Sequence, residues 1–217
     1  MEIDLLAKYP RTKRDLKARG ATKTEKVRKV ARKFGREFFD GDRKFGYGGF
    51  NYDPRFWTEV VKDIVNHYKL DETSKVLDIG CAKGFMLYDL SHHLPLENLR
   101  GIDISEYAIT NAMSEVKDVV EVGDARDLSK FDNNEFDLVI SINTVHNLKI
   151  NECGDALQEI ERVGQNKFIT VDAWTTEKEK DAMMAWNLTA KTMMHVDDWK
   201  QFFKTVGYTG DYYWFMP

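Results

Sequence analysis

The feature of this sequence that most limits its possible folds is a regular alternation of short apolar runs with helical patterns, beginning near residue 75. The apolar runs predict strands at 75–79, 99–104, 119–122, 136–142 and 167–172. Helical spacing of apolar residues predicts helices at 84–94, 105–116 and 151–163. Strands that alternate with helices at this pitch predict a parallel sheet with helices on both faces.

The end of the chain has a different pattern. Helices are expected at 176–190 and from Asp197 to Val206, where Gly207 ends the second helix. The apolar run 211–215 follows, and we expect it to close the sheet as an edge hairpin.

The two ends of the chain also differ in charge. Residues 1–50 hold 15 Lys and Arg against 7 Asp and Glu, a balance of +8. Residues 51–217 hold 17 against 29, a balance of −12. A basic arm on an acidic body indicates either an intramolecular docking face or a local site for an anion. A nucleic-acid partner is not expected, because such a domain is usually basic throughout.

The arm contains two predicted helices with an unusual segment between them. Thr22 and Glu25 match a capping box ahead of a helix that runs to Phe38. Residues 45–52 are too rich in glycine for a helix and unusually aromatic, and Asp53-Pro54 begins the next helix. We therefore divide the chain into a helical arm at 1–69, acting as a lid or substrate cap, and a ligand-binding domain at 70–217.

Composition gives an expectation about the cell compartment. No run of about 18 apolar residues occurs, so no membrane-spanning helix is expected. The N-terminus lacks the pattern of a secretory signal. Cys81 and Cys153 form neither a disulfide framework nor a metal pattern. These observations predict a reduced, cytoplasmic protein without a metal site, and leave its oligomeric state open.

The end of the first predicted strand carries the main motif, because ligands of open parallel sheets bind beyond the carboxyl ends of the strands. A dinucleotide fingerprint needs three glycines as G-x-G-x-x-G, whereas here Gly80 and Gly84 enclose Ala82. An NAD-dependent enzyme is therefore disfavoured. Asp78, two residues before the first glycine, is placed to hold a cationic amino group such as that of a methionine moiety.

Polar residues recur at the ends of the later strands. Asp103 lies 25 residues after Asp78 and is placed to accept both hydroxyls of a ribose. Asp124 follows 21 residues later, where it can accept from an adenine amino group, and the fourth strand ends at Asn143. Four features at successive strand ends indicate a ligand that joins an adenosine to a cationic amino acid.

At these motifs the chain resembles the class I S-adenosylmethionine-dependent methyltransferases. The resemblance covers residues 70–172 well, with Ala82 in place of the usual middle glycine of the first motif. It implies a Rossmann-like, seven-stranded, mostly parallel sheet whose one antiparallel strand comes from the tail, and S-adenosyl-L-methionine as cofactor. The cofactor-binding residues it implies are Asp78, Gly80, Cys81, Gly84, Asp103, Ile104, Asp124, Ala125 and Asn143.

The two ends of the chain resemble bacterial methyltransferases of surface-polysaccharide and related small-molecule pathways, through the segment 43–49. Methyl transfer to a hydroxyl needs a base, and the candidates are His146, Asp172 and His195. Asp172 and His195 are also placed to cap helices, and the alternatives stay open.

The acceptor is expected to be a small anionic molecule, phosphorylated or linked to a nucleotide or sugar, with O-methylation favoured over N-methylation. Its contacts are expected from Arg43, Tyr47, Tyr52, Arg55, His146 and Trp174. The competing hypothesis is a non-catalytic protein that binds adenosylmethionine or a nucleotide and uses its basic arm for RNA or a protein partner.

Overall fold

Seven strands form one sheet in the computed structural model, which describes residues 1–10, 20, 22–48 and 51–217. The strands are β1 (Val76–Ile79), β2 (Leu99–Asp103), β3 (Val120–Val122), β4 (Phe136–Ile142), β5 (Gly164–Trp174), β6 (Met194–His195) and β7 (Asp211–Phe215). Their order is β3-β2-β1-β4-β5, with β6 and β7 both paired to the long β5. The predicted α/β class, with a seven-stranded Rossmann-like sheet, is confirmed.

The last strand departs from expectation. β7 runs parallel to β5, with Phe168 opposite Asp211 and Asp172 opposite Phe215. The expected edge hairpin and antiparallel tail strand are therefore wrong. The helix before β7 provides the crossover that a parallel strand requires, so β7 runs in the direction of β5. The carboxyl ends of β5 and β7 consequently lie at one edge of the sheet.

Helices cover both faces of the sheet. They are α1 (Glu25–Ala31), α2 (Arg36–Phe39), α3 (Pro54–Tyr68), α4 (Phe85–Leu90), α5 (Glu106–Thr110), α6 (Ile150–Val163), α7 (Glu177–Trp186) and α8 (Val196–Val206). Leu77 and Ile79 face a core that contains residues of α6 and α8. Val76 faces the opposite core, which contains residues of α3 and α4. Alternate residues of β1 thus supply two apolar layers, and the strand is buried on both faces.

The boundary expected at residue 70 falls inside one of these cores. Val60, Val61 and Ile64 on α3 are buried in the same apolar cluster as Leu87 and Leu90 on α4. The Asp53 side chain caps α3 by accepting from the Arg55 N–H at 3.1 Å, as the Asp-Pro pair predicts. Because α3 shares the core of the sheet, it packs as part of the domain expected at 70–217, and the separate arm is the chain before α3.

The part of the arm before α3 is a separate layer. The cap of α1 is Thr24, whose Oγ1 accepts from the Val27 N–H at 3.3 Å, so the capping box expected at Thr22 is wrong. The predicted long helix is interrupted at Phe34, where φ is 48°. Gly49 and Phe50 of the expected aromatic loop lie outside the described residues.

The basic face of α1 has an intramolecular partner. Nε of Arg28 donates to the carbonyl oxygen of Asn187, and Nε of Arg32 donates to that of Thr189, each at 3.4 Å. The arm therefore lies against the segment after α7, residues 187–192, which we call the 187–192 loop. In the described part of the chain, no helix is both long and apolar enough to cross a membrane.

Candidate active site

The loop after β1 turns through three residues with left-handed backbone: Gly80 (φ 83°), Ala82 (φ 51°) and Gly84 (φ 79°). A Cβ atom on Gly80 would lie 2.1 Å from Oγ1 of Thr144, in the loop after β4. A Cβ atom on Gly84 would lie 2.6 Å from Cγ2 of Val116. Glycine at these two positions is thus required both by the backbone angle and by the close neighbouring chain.

Cys81 contributes backbone to this loop, while its side chain packs into the core. The N–H groups of Gly80 and Cys81 both donate to the carbonyl oxygen of Ile102, at 2.7 Å and 3.0 Å. Burial raises the pKa of the Cys81 thiol well above its usual range, and raises that of Cys153 to about 12. Both cysteines are therefore neutral and buried, and neither is a nucleophile.

Asp78 is a buried carboxylate in need of a partner. Its side chain is 4% exposed, and no group of the described residues donates a hydrogen bond to it. Burial, followed by the charge of Asp103, raises the pKa of Asp78 to about 8. A cationic donor bound beside it would stabilise the ionised form. This environment agrees with a ligand amino group at this position.

Asp103 ends β2 and is fixed by two backbone groups. Its Oδ2 accepts from the N–H of Ala82 at 2.9 Å, and its Oδ1 accepts from the N–H of Ser105 at 2.8 Å. Each oxygen keeps a further lone pair, because a carboxylate offers about four acceptor positions. The carboxylate is therefore held in one orientation and can accept from two neighbouring hydroxyls.

The carboxyl edge of the sheet, where the strands end, we call the rim; its part beside β2 and β3 combines apolar and charged groups. Ile104 is 56% exposed and Val122 is 47% exposed, so large apolar side chains face solvent at the ends of β2 and β3. Such a surface suits the flat face of a nucleobase. The carboxylate of Asp124 is paired with the Arg126 guanidinium, whose Nε lies 3.0 Å from both oxygens. Ala125 packs against the core.

His146 and Asp172 meet where β4 and β5 end. The backbone N–H of Asp172 donates to Nδ1 of His146 at 2.9 Å, and the Asp172 carboxylate lies 3.8 Å from the same atom. Burial lowers the pKa of His146 and raises that of Asp172. No described group donates a hydrogen bond to the Asp172 carboxylate, which is 4% exposed. Asp172 is thus a second buried carboxylate that can accept hydrogen bonds from a ligand.

Asn143 connects this pair to the neighbouring strand. Its Oδ1 accepts from the Thr170 hydroxyl at 2.9 Å, and its backbone has the left-handed φ of 53°. The side chain is therefore held against β5 and keeps its amide nitrogen as a donor.

His195, on β6, has a hydrogen-bond partner at each of its ring nitrogens. Its Nδ1 accepts from the Asp197 N–H at 3.2 Å, and its Nε2 lies 3.1 Å from the carbonyl oxygen of Thr175. Both ring nitrogens are thus used to cap α8 and to tie β6 to the chain after β5. The helix-capping alternative for His195 is therefore the one that these hydrogen bonds support, and its role as a base stays a prediction. Trp174 pairs with His195 across the two strands and lies under the ammonium of Lys180.

The arm supplies a charged residue that the sequence did not single out. The ammonium of Lys23 lies 5.1 Å from the ring centroid of Trp186 and 5.5 Å from that of Tyr47. The Tyr47 hydroxyl accepts from the N–H of Leu188 at 3.0 Å, and its ring stacks on Trp186. Burial and the negative charge of Asp172 raise the pKa of Tyr47. The positive charge of Lys23 opposes the rise that burial causes in the pKa of Asp172. Of the predicted acceptor contacts on the arm, Tyr47 is therefore the one brought to the Asp172 end.

The structure places the other predicted acceptor contacts on the arm elsewhere. Arg43 is exposed on a short 3₁₀ turn, and the exposed Arg55 guanidinium lies 2.8 Å from Asp53. The Tyr52 hydroxyl donates to Oδ1 of Asp89 on α4 at 3.2 Å. Arg43 and Arg55 therefore form no clamp beside Asp172, and Tyr52 has a structural partner.

The arm also contacts the loops that follow β1 and β2. The Lys83 ammonium donates to both carboxylate oxygens of Asp40, at 2.6 Å and 2.7 Å, and the Tyr107 hydroxyl donates to the same carboxylate. The Ser105 hydroxyl donates to the carbonyl oxygen of Phe34. The arm is thus joined to the loops after both β1 and β2. The described residues contain no group of three His, Cys, Asp or Glu that could hold a metal ion.

Residues 77–167 match the sequence model of a family described as a methyltransferase domain. Among curated proteins, none matches this sequence.

Several solved structures share the fold. YcgJ protein from Bacillus subtilis is 16% identical over 67% of this chain and 66% of its own, with a TM-score of 0.55. A putative methyltransferase, solved with the Haloferax volcanii methyltransferase activator Trm112, is 21% identical over 66% of each chain, with a TM-score of 0.53. A SAM dependent methyltransferase from Archaeoglobus fulgidus is 22% identical over 70% of each chain, with a TM-score of 0.52. The present chain thus spans just under two thirds of the length of the first two, and the likeness shows a common fold.

Proposed function

We propose that the chain carries a class I, Rossmann-like methyltransferase domain that binds S-adenosylmethionine, as the family match over residues 77–167 and the shared fold support, and that the whole protein is an enzyme that methylates a hydroxyl group of a small anionic molecule. The observation that carries the proposal is the Asp172 carboxylate. It is buried at the carboxyl end of β5, beside His146, without a hydrogen bond from any described residue.

The main proposed cofactor contacts are the acids at the ends of β1 and β2. Asp78 would accept from the amino group and Asp103 from the ribose hydroxyls, because both are buried carboxylates with accepting capacity. The other proposed contacts are Gly80, Cys81, Gly84, Ile104, Asp124, Ala125 and Asn143. When bound, the cofactor supplies an electrophilic methyl group on a positively charged sulfur.

Asp172 is the proposed base. Its raised pKa makes its carboxylate a stronger proton acceptor than an ordinary aspartate. Removal of the hydroxyl proton as the new bond forms is typically worth about 10²–10⁴-fold in rate. Since Nδ1 of His146 accepts from a backbone N–H, the neutral ring carries its proton on Nε2 and contributes a donor.

Two further observations support this proposal. The arm carries a balance of +8 in residues 1–50, and its described part lies against the 187–192 loop and the loops that follow β1 and β2. A positive cover favours a negative acceptor. A lid that excludes water strengthens every charge interaction beneath it. The surface-polysaccharide pathway stays a prediction.

The test is transfer of a labelled methyl group from adenosylmethionine to fractions of a small-molecule extract. We expect label in an anionic fraction, in a product that carries it as a methyl ether. Asp172→Asn serves as the control that retains the fold. Label in a methylated amine would contradict O-methylation. Tight binding of adenosylmethionine without transfer to any fraction would favour the non-catalytic binding protein.

A further inference from the structure

Asp124 differs from the other acids of the rim because its carboxylate is already occupied. The backbone N–H of Arg126 donates to Oδ1 at 2.9 Å, and Nε of Arg126 lies 3.0 Å from both Oδ1 and Oδ2. Nη2 of Arg126 also donates to Oδ2. A carboxylate offers about four acceptor positions, and these contacts fill them. Asp103, by contrast, accepts from two backbone groups and keeps its remaining positions for a ligand.

Asp124 follows a strand end that is joined directly to Asp103, the proposed ribose contact. Val122 pairs with Asp103 across β3 and β2, and the N–H of Gly123 donates to the carbonyl oxygen of Asp103 at 3.0 Å. Asp124 is the next residue of the chain. Its carboxylate therefore belongs to the part of the rim where the exposed side chains of Ile104 and Val122 suit the adenine base.

Arg126 is also held by a second carboxylate. Its Nη1 donates to Oε1 of Glu152 at 2.8 Å, and Oε2 of Glu152 accepts from the N–H of Lys149 at 3.1 Å, at the start of α6. The hydrogen bonds from Arg126 hold the pKa of Asp124 below its usual range, so this carboxylate is ionised near pH 7. The amino group of adenine is neutral, and a hydrogen bond from it is weaker than the charge-assisted bond that it would have to replace. We therefore expect the pair of Arg126 and Asp124 to persist when the cofactor binds.

We infer that Arg126 is a specificity residue of the cofactor site, because by filling the Asp124 carboxylate it prevents this acid from recognising the 6-amino group of adenine. The inference rests on the proposed function. Asp124 keeps its place beside the base, while its carboxylate stays with Arg126. The base is then held by its flat faces against Ile104 and Val122, and an apolar surface discriminates only weakly between ligands that differ by one polar group. The site should therefore accept cofactor analogues that are altered at this amino group.

The experiment compares two ligands by calorimetry with the full-length protein. They are S-adenosylhomocysteine and its analogue with purine in place of adenine, which lacks only the 6-amino group. The wild-type affinities should differ by less than about threefold, which is below the usual value of a hydrogen bond. Arg126→Met removes the side-chain donors, so the freed Asp124 should favour S-adenosylhomocysteine by about tenfold or more, the usual value of a hydrogen bond to a charged group. Adding Asp124→Ala to Arg126→Met should abolish this preference.

Two control variants separate this effect from a simple change of charge. Lys130→Met removes a cation that is paired with Glu121 and is exposed to the same extent as Arg126, 40%. Glu152→Gln removes the second partner of Arg126 and leaves the contacts with Asp124 in place. Neither control should change the ratio of the two affinities.

A wild-type preference for S-adenosylhomocysteine of about tenfold or more would overturn the inference, because the site would then recognise the amino group with Arg126 in place. An unchanged ratio in Arg126→Met would overturn it as well, since Asp124 would then ignore the amino group even when freed. Should Arg126→Met fail to fold, the wild type and Asp124→Ala still decide, because each should bind the two ligands alike. Absence of S-adenosylhomocysteine binding by the wild type would instead contradict the proposed function.

Discussion

The backbone N–H of Asp172 donates to Nδ1 of His146 at 2.9 Å, and this single hydrogen bond separates the roles of the two side chains. A neutral imidazole has one donor and one acceptor nitrogen, and Nδ1 is the acceptor here. Nε2 therefore carries the proton, and burial lowers the pKa of the ring, so it is neutral near pH 7. Residue type and position alone do not favour Asp172 over His146 as the base, whereas this geometry does.

Replacing Asp172 with asparagine tests that preference. Asp172→Asn keeps the size and the backbone donor but cannot accept a proton, so turnover should fall by about 10²–10⁴-fold. His146→Gln retains a donor near the Nε2 position and should lose much less. Affinity for S-adenosylhomocysteine should stay unchanged in both variants. The measurement is single-turnover methyl transfer combined with calorimetric titration of the cofactor product.

The pH dependence provides the control. A base with a raised pKa must lose its proton before it acts, so kcat/KM should fall as the pH drops through that raised value. The same fall should be absent from the residual activity of Asp172→Asn. A larger loss in His146→Gln than in Asp172→Asn would return the role of base to His146.

Cofactor binding should release a proton near neutral pH. The pKa of Asp78 is raised to about 8, so its carboxyl group is mostly protonated at pH 7 before a cationic amino group binds. Bound positive charge favours ionisation, and about one proton should leave. Calorimetric titrations with S-adenosylhomocysteine in buffers of different ionisation enthalpy measure this release. Asp78→Asn should bind more weakly and release no proton.

Stability without the cofactor tests the same carboxyl group. Its folded pKa exceeds the ordinary value of 3.8, so its contribution to stability is full below that value and is lost as pH rises through about 8. The melting temperature of the free protein should therefore fall as the pH rises from about 4 to about 8 and change little above that. Asp78→Asn should flatten this fall. An equally steep fall in the variant would place the responsible group elsewhere.

Ala82→Gly should stabilise the protein. Ala82 has a φ of 51°, and a side chain in this region costs about 1–2 kcal/mol. Glycine removes that strain, although the greater freedom of the unfolded chain offsets about 0.5–1 kcal/mol. A net gain of up to about 1 kcal/mol should raise the melting temperature by about 2–4 °C for a chain of this size. Lowered stability would mean that the Ala82 methyl group makes packing contacts worth more than the strain.

Asp40→Asn should loosen the arm over the cofactor. The Asp40 carboxylate accepts two hydrogen bonds from Lys83 and one from Tyr107, which ties the arm to the loops at the cofactor side. Neutralising it should speed dissociation of S-adenosylhomocysteine by about tenfold, since a charged hydrogen bond is worth about 1.5–3 kcal/mol. Stopped-flow fluorescence measures the rate. Glu37→Gln, at a nearby exposed carboxylate, is the matched control. Equal rates in both variants would show that the arm does not hold the ligand.

The acids at the ends of β1 and β2 could be predicted from the sequence because their positions depend on local pattern. A buried apolar strand that ends in an acid and then turns at glycine places that acid at the carboxyl edge whatever surrounds it. Asp78 and Asp103 both lie there. The strand order that brings them together follows from repeated parallel crossovers.

Features that depend on distant parts of the chain could not be predicted in this way. The residues of β7 alternate in the same manner in a parallel or an antiparallel strand, so their pattern carries no direction. Lys23 and Asp40 are typical surface residues by composition, and only the folding of the arm onto the sheet buries one and pairs the other. His195 has the sequence context of both a base and a helix cap, and its hydrogen bonds decide for the cap.

Because both cysteines are buried, the folded protein should not react with thiol-reactive dyes. Cys81 and Cys153 are neutral and enclosed, so a maleimide fluorophore would find no thiolate at the surface of the folded protein. Lys29→Cys, on the exposed side of α1, would then be a unique attachment point. The signal of a dye at that position would report the arm alone, so whether the arm moves when a ligand binds could be followed in real time without first removing a native cysteine.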